Sequence, residues 1–257
     1  MRILTWNILA QTWYKDNKTF SQKERFDMIV KYIMSYNPDV ICLQEIDYFD
    51  TYWNKALQEK GFTSYYMKRP TSGKNDGSLI ATKDTTTRVL STQKLNLNYA
   101  KPSKAPQALQ ERYHRNNEGI IARCKHEEKE CIIATAHLFF DPHCLDVKLK
   151  QGHYIWNQIE RFSGKKTDET VCFAGDLNSE PHEQVVRHFK QHLNDPFVEQ
   201  QKEGKITTKT KEFSAWLDYI FTNTHIESVS KVPTITHPIP NNYYPSDHIP
   251  LVIDQKI

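Results

Sequence analysis

The sequence predicts an α/β fold in which helices cover a core of two sheets. Short apolar runs recur along the chain, among them Val40-Ile41-Cys42-Leu43, Ile132-Ile133-Ala134-Thr135-Ala136 and Val171-Cys172-Phe173-Ala174, and each reads as a buried strand. Segments with apolar residues at helical spacing lie between them, and runs of strands punctuated by helices suit layered packing. No Gly/Ser-rich or Pro-rich linker divides the 257 residues, so residues 1–257 are expected to form one domain.

The first strand is expected over residues 1–9. A helix follows, opened by Ser21 and Glu24 as a capping box, carried by Phe26, Ile29, Val30 and Ile33, and closed by Asn37-Pro38. A buried strand over 39–44 ends at Glu45, and a second helix over 52–60 takes Gly61 as its C-cap. Strands are expected over 62–68, 77–83 and 86–90, after which a long polar segment reaches Asn117. Residues 119–124 and 131–138 form the next strands, the second running into His137. Leu145, Leu149, Ile155, Trp156, Ile159 and Phe162 mark a helix, and 171–174 is again a strand. Pro181 suits the first turn of a helix bearing Val185, Val186 and Phe189, and strands over 216–222 and 249–253 close the chain.

Composition narrows the class. Hydrophobic content of 38% with 12% aromatic residues is enough for a packed core and argues against disorder. No apolar stretch approaches the roughly 20 residues that span a bilayer. The first apolar segment carries Trp6, Asn7 and Gln11 rather than a signal-peptide core, so no membrane association and an intracellular location are expected. The 5 cysteines are odd in number, lack metal-ligand spacing and sit mostly in apolar runs, which suits reduced, buried thiols. Net charge is only +3, but Lys68, Arg69 and Lys74, then Lys101, Lys104, Arg112 and Arg115, then Lys202, Lys205, Lys209 and Lys211 cluster in polar stretches. Such runs are ordinarily solvated surface; at the rim of a site they would follow a phosphate backbone.

Several apolar runs end on a chemically active side chain. Leu4-Thr5-Trp6 leads to Asn7, Leu43-Gln44 to Glu45, and Thr135-Ala136 to His137. Phe173-Ala174-Gly175 leads to Asp176 and Asn178, Trp216-Leu217 to Asp218, and Tyr244-Pro245-Ser246 to Asp247 and His248. Asp176 and Asn178 are two apart on a strand end and should face the same way, although Asp and Asn beside Gly also form ordinary turns. A single His or Glu beside a strand is ordinarily a satisfied or solvated residue, whereas acids, amides and imidazoles repeated at strand ends suit metal-assisted chemistry on an oxygen-rich substrate.

The motifs Trp6-Asn7, Leu43-Gln44-Glu45, His137-Leu138, Gly175-Asp176-Leu177-Asn178-Ser179, Leu217-Asp218-Tyr219 and Ser246-Asp247-His248, in this order, resemble the endonuclease/exonuclease/phosphatase superfamily. The resemblance implies a four-layer α/β/β/α sandwich of two mixed sheets flanked by helices, with the site at strand ends between the sheets. It also implies Mg²⁺, as one or two ions with Mn²⁺ as a substitute. Glu45 is then the primary metal ligand, with Asn7 and Asp247 completing or orienting its shell. Asp176, with Asn178, would position and activate a water. His248, oriented by Asp218, would bind phosphoryl oxygens, and His137 would stabilise charge in the transition state.

Within the superfamily, Asn7-Ile8-Leu9-Ala10-Gln11, Asp76-Gly77, Asn117 with Gly119, and His137-Leu138-Phe139-Phe140-Asp141-Pro142 with Asp146-Val147-Lys148-Leu149 are similar to the deadenylase branch, as is Pro245-Ser246-Asp247-His248-Ile249-Pro250-Leu251. That branch holds carbon catabolite repressor-type poly(A) exoribonucleases with nocturnin, Angel and 2′-phosphodiesterase relatives. It implies substrate contacts at Pro142, Phe213, Asn178, Asn117 and Lys148, the terminal adenine lying among Pro142, Asn178 and Phe213. Trp6 stands where many deadenylases have Tyr, the segment between Pro181 and Phe213 is short, and no leucine-rich repeats are present for docking onto a larger deadenylase complex. The expected function is a Mg²⁺-dependent 3′-to-5′ exoribonuclease acting on RNA, at poly(A) 3′ ends, in the cytoplasm and also the nucleus. The alternatives are a 2′,5′-oligoadenylate phosphodiesterase, a phosphatase of the nocturnin or Angel kind, a broader RNase, or an inactive RNA-binding module.

Overall fold

The computed structural model describes residues 1–14, 19–70, 75–101, 106–164 and 169–257. One sheet is built from β1 (Arg2–Asn7), β2 (Val40–Gln44), β3 (Phe62–Lys68), β4 (Gly77–Lys83), β12 (Ile226–Val229) and β13 (Leu251–Gln255), in the order β12-β13-β1-β2-β4-β3. The other holds β5 (Thr87–Asn96), β6 (Glu118–His126), β7 (Lys129–His137), β8 (Thr170–Asp176) and β11 (Asp218–Thr222), in the order β11-β8-β7-β6-β5. Both are mixed: β1–β2 and β7–β8 run parallel, and the remaining pairs antiparallel. A short hairpin of β9 (Thr208–Lys209) and β10 (Ser214–Ala215) stands apart.

Strand alternation divides the core. In β1 and β2, Ile3, Val40 and Cys42 face the second sheet, whereas Leu4, Trp6, Ile41 and Leu43 face the opposite layer. That layer is α2 (Gln22–Ser35), with Phe26, Ile29 and Ile33, and α3 (Asn54–Gln58), with Leu57. The second sheet packs its far face on α5 (Leu145–Ser163) and α6 (Gln184–Lys190) through Ile155, Ile159, Val185 and Phe189. Strands sandwiched on both faces must be apolar throughout, which is why they read as continuous runs. The short helices α1 (Gln11–Tyr14), α4 (Gln107–Arg112) and α7 (Val198–Lys202) decorate the loops. The result is the expected α/β/β/α sandwich.

Boundaries shift where local signals are weak. Ser21 and Glu24 do form a reciprocal capping box. The first strand stops at Asn7 rather than Leu9, because Leu9 turns into the left-handed region with φ 55. β5 runs on to Asn96 past the expected end at 90, as a polar edge strand with a bulge between Val89 and Ser91. The second helix opens with a π-helical turn, Phe49–Trp53, and Pro181 precedes α6 rather than entering it. β8 extends to Asp176, so Gly175 is a strand residue: a Cβ there would lie 2.4 Å from the Ala136 carbonyl oxygen of β7. All of the cysteines are buried free thiols, and among the described residues no helix is long and apolar enough to cross a membrane.

The seam between α5 and α6 carries a pH-sensitive contact. His188 packs edge-on against His153 with ring centroids 4.3 Å apart, and its Nε2 is buried without a partner. Burial, then the neighbouring His153 and His192, lower its pKa to about 4. A depressed histidine stabilises the fold above its unfolded pKa of about 6.5 and loses that contribution as pH falls toward 4. His188→Asn is expected to remove about 1 kcal/mol of this acid-side slope, a figure reduced because the ring is half exposed. Urea unfolding at several pH values between 4 and 7 measures it, and parallel wild-type and variant curves would refute the assignment.

Candidate active site

Topology alone brings the strand-end residues together. Asn7 ends β1 in register with Gln44 at the end of parallel β2, so Glu45 follows directly beside it. His137 ends β7 opposite Asp176 at the end of parallel β8, and Asp218, opening antiparallel β11, pairs with Asp176. Asp247 and His248 precede β13, which runs antiparallel to β1. All of these positions fall at one end of the two sheets.

Short hydrogen bonds then fix each side chain. Asn7 Oδ1 accepts the Leu9 N–H at 3.0 Å, which turns Nδ2 toward Glu45 Oε1 at 3.1 Å and Asp176 Oδ2 at 2.9 Å. Glu45, at φ 58, accepts the Ala10 N–H on Oε2 at 3.0 Å. Asp176 Oδ1 accepts the Asn178 N–H at 2.7 Å, and Asn178, at φ 47, donates Nδ2–H to the Leu138 carbonyl at 3.0 Å. Asn178 therefore departs from strand alternation, and the turn reading of this residue holds beside the strand reading of Asp176. His248 Nδ1 bonds Asp218 Oδ2 at 2.8 Å, while its carbonyl accepts the Trp6 indole N–H at 2.8 Å. Ser246 Oγ donates to the Asn7 carbonyl at 2.7 Å and accepts the His248 N–H at 3.2 Å, tying this loop to the end of β1.

His137 and His248 approach Asp176 from two sides, their Nε2 atoms 3.7 Å and 3.9 Å from Oδ2. Their charges differ. Burial pushes His137 down to about 4, so it is neutral near pH 7. Burial opposes charge on His248 too, but Asp218, Asp176 and Asp247 outweigh it and hold the pKa well above its ordinary value. Burial raises Glu45, against the hydrogen bonds from Ala10 and Asn7, and lifts Asp247 to about 6, with Glu45 adding repulsion. Among the described residues, single ligand atoms of Asp176, Asp218 and His248 lie within 4.8 Å of one another, and Asp218 Oδ1 is buried without a partner. Crowded, buried carboxylates with raised pKa values and an orphaned oxygen suit a hard divalent cation.

Behind this group lies an ion cluster that sequence reasoning missed. Arg69 bonds Asp76 through Nε at 3.0 Å and Nη2 at 2.6 Å, and its Nη1 is 3.8 Å from Glu118 Oε2. Ser78 Oγ donates to Glu118 Oε1 at 3.0 Å, joining the two sheets. Burial opposes the charge on Arg69, but Glu118 and Asp76 outweigh it. Arg69 read as one member of a basic loop run, and only Asp76 seven residues on, itself quoted as a family match, hinted at a partner. Other members of those runs are also engaged: Arg112 with Asp146, and Lys209 with the Ile235 and Thr236 carbonyls. Lys74 and Lys104 lie outside the described residues. Arg25, also missed, is fully buried in α2 and donates to the Ile8 carbonyl at 2.8 Å and the Pro245 carbonyl at 3.2 Å, bracing the loops that carry Asn7 and Asp247.

The expected substrate residues divide. Phe213 is 51% exposed at the tip of the β9–β10 hairpin, and Thr208 Oγ1 ties that hairpin to the Asp247 carbonyl at 2.7 Å. Pro142 is exposed in the turn after β7. Asn117 and Lys148 instead sit behind the site. Asn117 Nδ2 donates to the His137 carbonyl at 3.0 Å while its Oδ1 accepts from Gln151 at 3.2 Å. Lys148 is buried, donating to the Asn178 carbonyl at 2.7 Å beside Glu183 Oε2 at 3.1 Å. Their polar atoms are committed to the backbone of His137 and Asn178, so they hold site residues rather than face the opening.

Comparison with known proteins agrees with this geometry. The model of the Endonuclease/Exonuclease/phosphatase family matches residues 4–248. The chain is 25% identical to Carbon catabolite repressor protein 4 homolog 4 of Arabidopsis thaliana, over 100% of this chain and 77% of that protein. It is 29% identical to Nocturnin of Mus musculus, over 99% of this chain but only 65% of that protein. The solved human Nocturnin catalytic domain with bound sulfate superposes with a TM-score of 0.82 at 23% identity, covering 100% of this chain and 94% of the other. ANGEL2, described as a 2′,3′-cyclic phosphatase and solved with adenosine-2′,3′-vanadate, gives 0.85 at 19% identity, covering 98% and 94%. The fold, the ordered strand-end residues and the match across nearly the whole chain place this protein in the Endonuclease/Exonuclease/phosphatase family, on the branch that holds the carbon catabolite repressor-type and nocturnin proteins.

Proposed function

We propose that the chain is a Mg²⁺-dependent 3′-to-5′ exoribonuclease that shortens poly(A) and releases 5′-AMP. The observation that carries this reading is the placement of Asp176, hydrogen-bonded by Asn7 and by the Asn178 N–H, with two imidazole Nε2 atoms just beyond hydrogen-bond range. Glu45, with Asn7 and Asp247, would hold the cation, whose charge offsets that of the phosphate and the departing alkoxide.

Asp176 accepts a hydrogen bond from the attacking water and takes its proton, a role worth about 10²- to 10⁴-fold in rate. His248, held in orientation by Asp218, presents a protonated Nε2–H to a phosphoryl oxygen. His137 is neutral and contributes a hydrogen bond rather than a full charge as negative charge builds. The terminal adenine lies against Phe213 and Pro142 with the Asn178 amide at its edge. Two further observations support this pocket: the Phe213 hairpin is anchored on Asp247, and Asn178 is fixed by Leu138.

Purified protein with Mg²⁺ is expected to degrade oligo(A) in single-nucleotide steps, with oligo(C) and oligo(U) of equal length degraded more slowly. Chelator should abolish the reaction. Equal rates on all three sequences would remove the poly(A) assignment and leave a broader RNase. Phe213→Ala is expected to lower kcat/KM on oligo(A) roughly five-fold or more relative to a simple phosphodiester, the worth of one stacked base. Equal loss on both substrates would take Phe213 out of the base pocket.

A further inference from the structure

We propose that Phe140, backed by Phe139 and Arg115, forms a second nucleotide subsite that holds single-stranded RNA upstream of the terminal nucleotide. The inference deepens the exoribonuclease reading and rests on it. It starts from the segment that leaves β7. Leu138 is fixed to the site at both backbone groups, its N–H donating to the Asp176 carbonyl at 3.0 Å and its carbonyl accepting from Asn178 Nδ2 at 3.0 Å. The Phe139 N–H donates to Gln151 Oε1 at 2.9 Å, and Gln151 in turn bonds Asn117. Phe140 is the next residue, directly after the anchored Phe139 N–H, yet 66% of it is exposed. A phenyl ring left in water two residues after Leu138, whose backbone bonds Asp176 and Asn178, is a ready stacking face.

The nearby cation makes no ion pair among the described residues. The Arg115 guanidinium lies 5.0 Å from the centroid of Phe139, whose ring is 5.1 Å from that of Phe140. Arg115 Nε is buried without a hydrogen-bond partner. The His143 N–H, more than Arg115, lowers the Asp141 carboxyl, whose Oδ1 accepts that N–H and whose Oδ2 accepts the Cys144 thiol. An exposed aromatic face with a guanidinium one ring away, stacked on Phe139 and outside any ion pair, repeats the base-then-phosphate composition of a nucleic-acid strand. Leu138, which holds Asn178, and Pro142 flank it in sequence, so it borders the proposed terminal pocket on the side open to an upstream nucleotide. A protein ligand would not need that coincidence with the reacting end.

The test compares two substrates on the full chain with Mg²⁺: oligo(A), and adenosine 5′-(p-nitrophenyl phosphate), which offers a terminal nucleotide with nothing upstream. Phe140→Ala is expected to lower kcat/KM on oligo(A) about tenfold more than on the ester. Phe140→Leu should behave like the alanine variant if stacking is the contribution. Arg115→Ala is expected to flatten the salt dependence of oligo(A) binding, measured by fluorescence anisotropy in chelator, by a slope of about 0.7, one phosphate contact. Equal losses on both substrates, or full rescue by leucine, would overturn the subsite. Should wild type cleave neither substrate, the exoribonuclease reading fails, and the anisotropy still decides the subsite: unchanged affinity in both the Phe140 and Arg115 variants refutes it.

Discussion

Asp176→Asn is expected to lower kcat on RNA by about 10³- to 10⁴-fold while the protein stays folded. The substitution keeps the volume of a fully buried side chain and one of its two acceptor oxygens. It removes the negative charge on which Asn7, His137 and His248 converge. Without that charge no group at this position takes a proton from water, and the imidazoles lose the counter-charge between them. Stability should fall by only about 1 to 3 kcal/mol, because the new amide N–H faces one of the two donors that the carboxylate accepts, Asn7 Nδ2 or the Asn178 N–H. Circular dichroism and thermal melting check the fold, and single-turnover cleavage checks the rate. A variant within tenfold of wild type would exclude Asp176 as the base.

Arg69→Met is expected to have the largest effect on stability, about 3 to 5 kcal/mol, read as a melting-temperature drop of roughly 10 °C. Methionine fills much of the space but leaves Asp76 and Glu118 buried without a counter-charge. Arg69 outweighs the burial of Asp76 and holds its carboxyl below the ordinary range; without it, both acids must bind protons or draw in water. The double variant Arg69→Met with Asp76→Asn should recover part of the loss, since it removes one orphaned charge along with its partner. A change below 1 kcal/mol in the single variant would show that the cluster is solvated in solution.

The strand-end chemistry was legible because it depends on order along the chain. An apolar run buried on both faces must end where the sheet ends, and whatever polar residue follows is delivered there. Asn7, Glu45, His137 and Asp176 follow that logic through the parallel β1–β2 and β7–β8 pairs, whereas Asp218 opens β11 and His248 precedes β13, and both reach the same end because those strands run antiparallel to β8 and β1. What escaped depends on contacts remote in sequence. Arg69 has the sequence context of a surface residue and the environment of a core one, because Glu118 comes from a different sheet. Lys148 follows a helical pattern that says nothing of Asn178, 30 residues away. The two-residue strands β9 and β10 are too short for any period, yet they carry Phe213 on a hairpin that Thr208 ties to the Asp247 carbonyl. The left-handed turn at Asn178 was half visible, since Asn tolerates it, but the Leu138 carbonyl that holds the amide was not.

In the proposed reaction this cluster adds water to the 3′-terminal phosphodiester of RNA. Reaction of oligo(A) with Mg²⁺ in ¹⁸O-labelled water, followed by mass spectrometry of the released mononucleotide, tests it most directly. Wild type is expected to release 5′-AMP with one ¹⁸O in its phosphate, and Asp176→Asn none above background. Unlabelled product, a 2′,3′-cyclic phosphate, or equal release by the variant would contradict it.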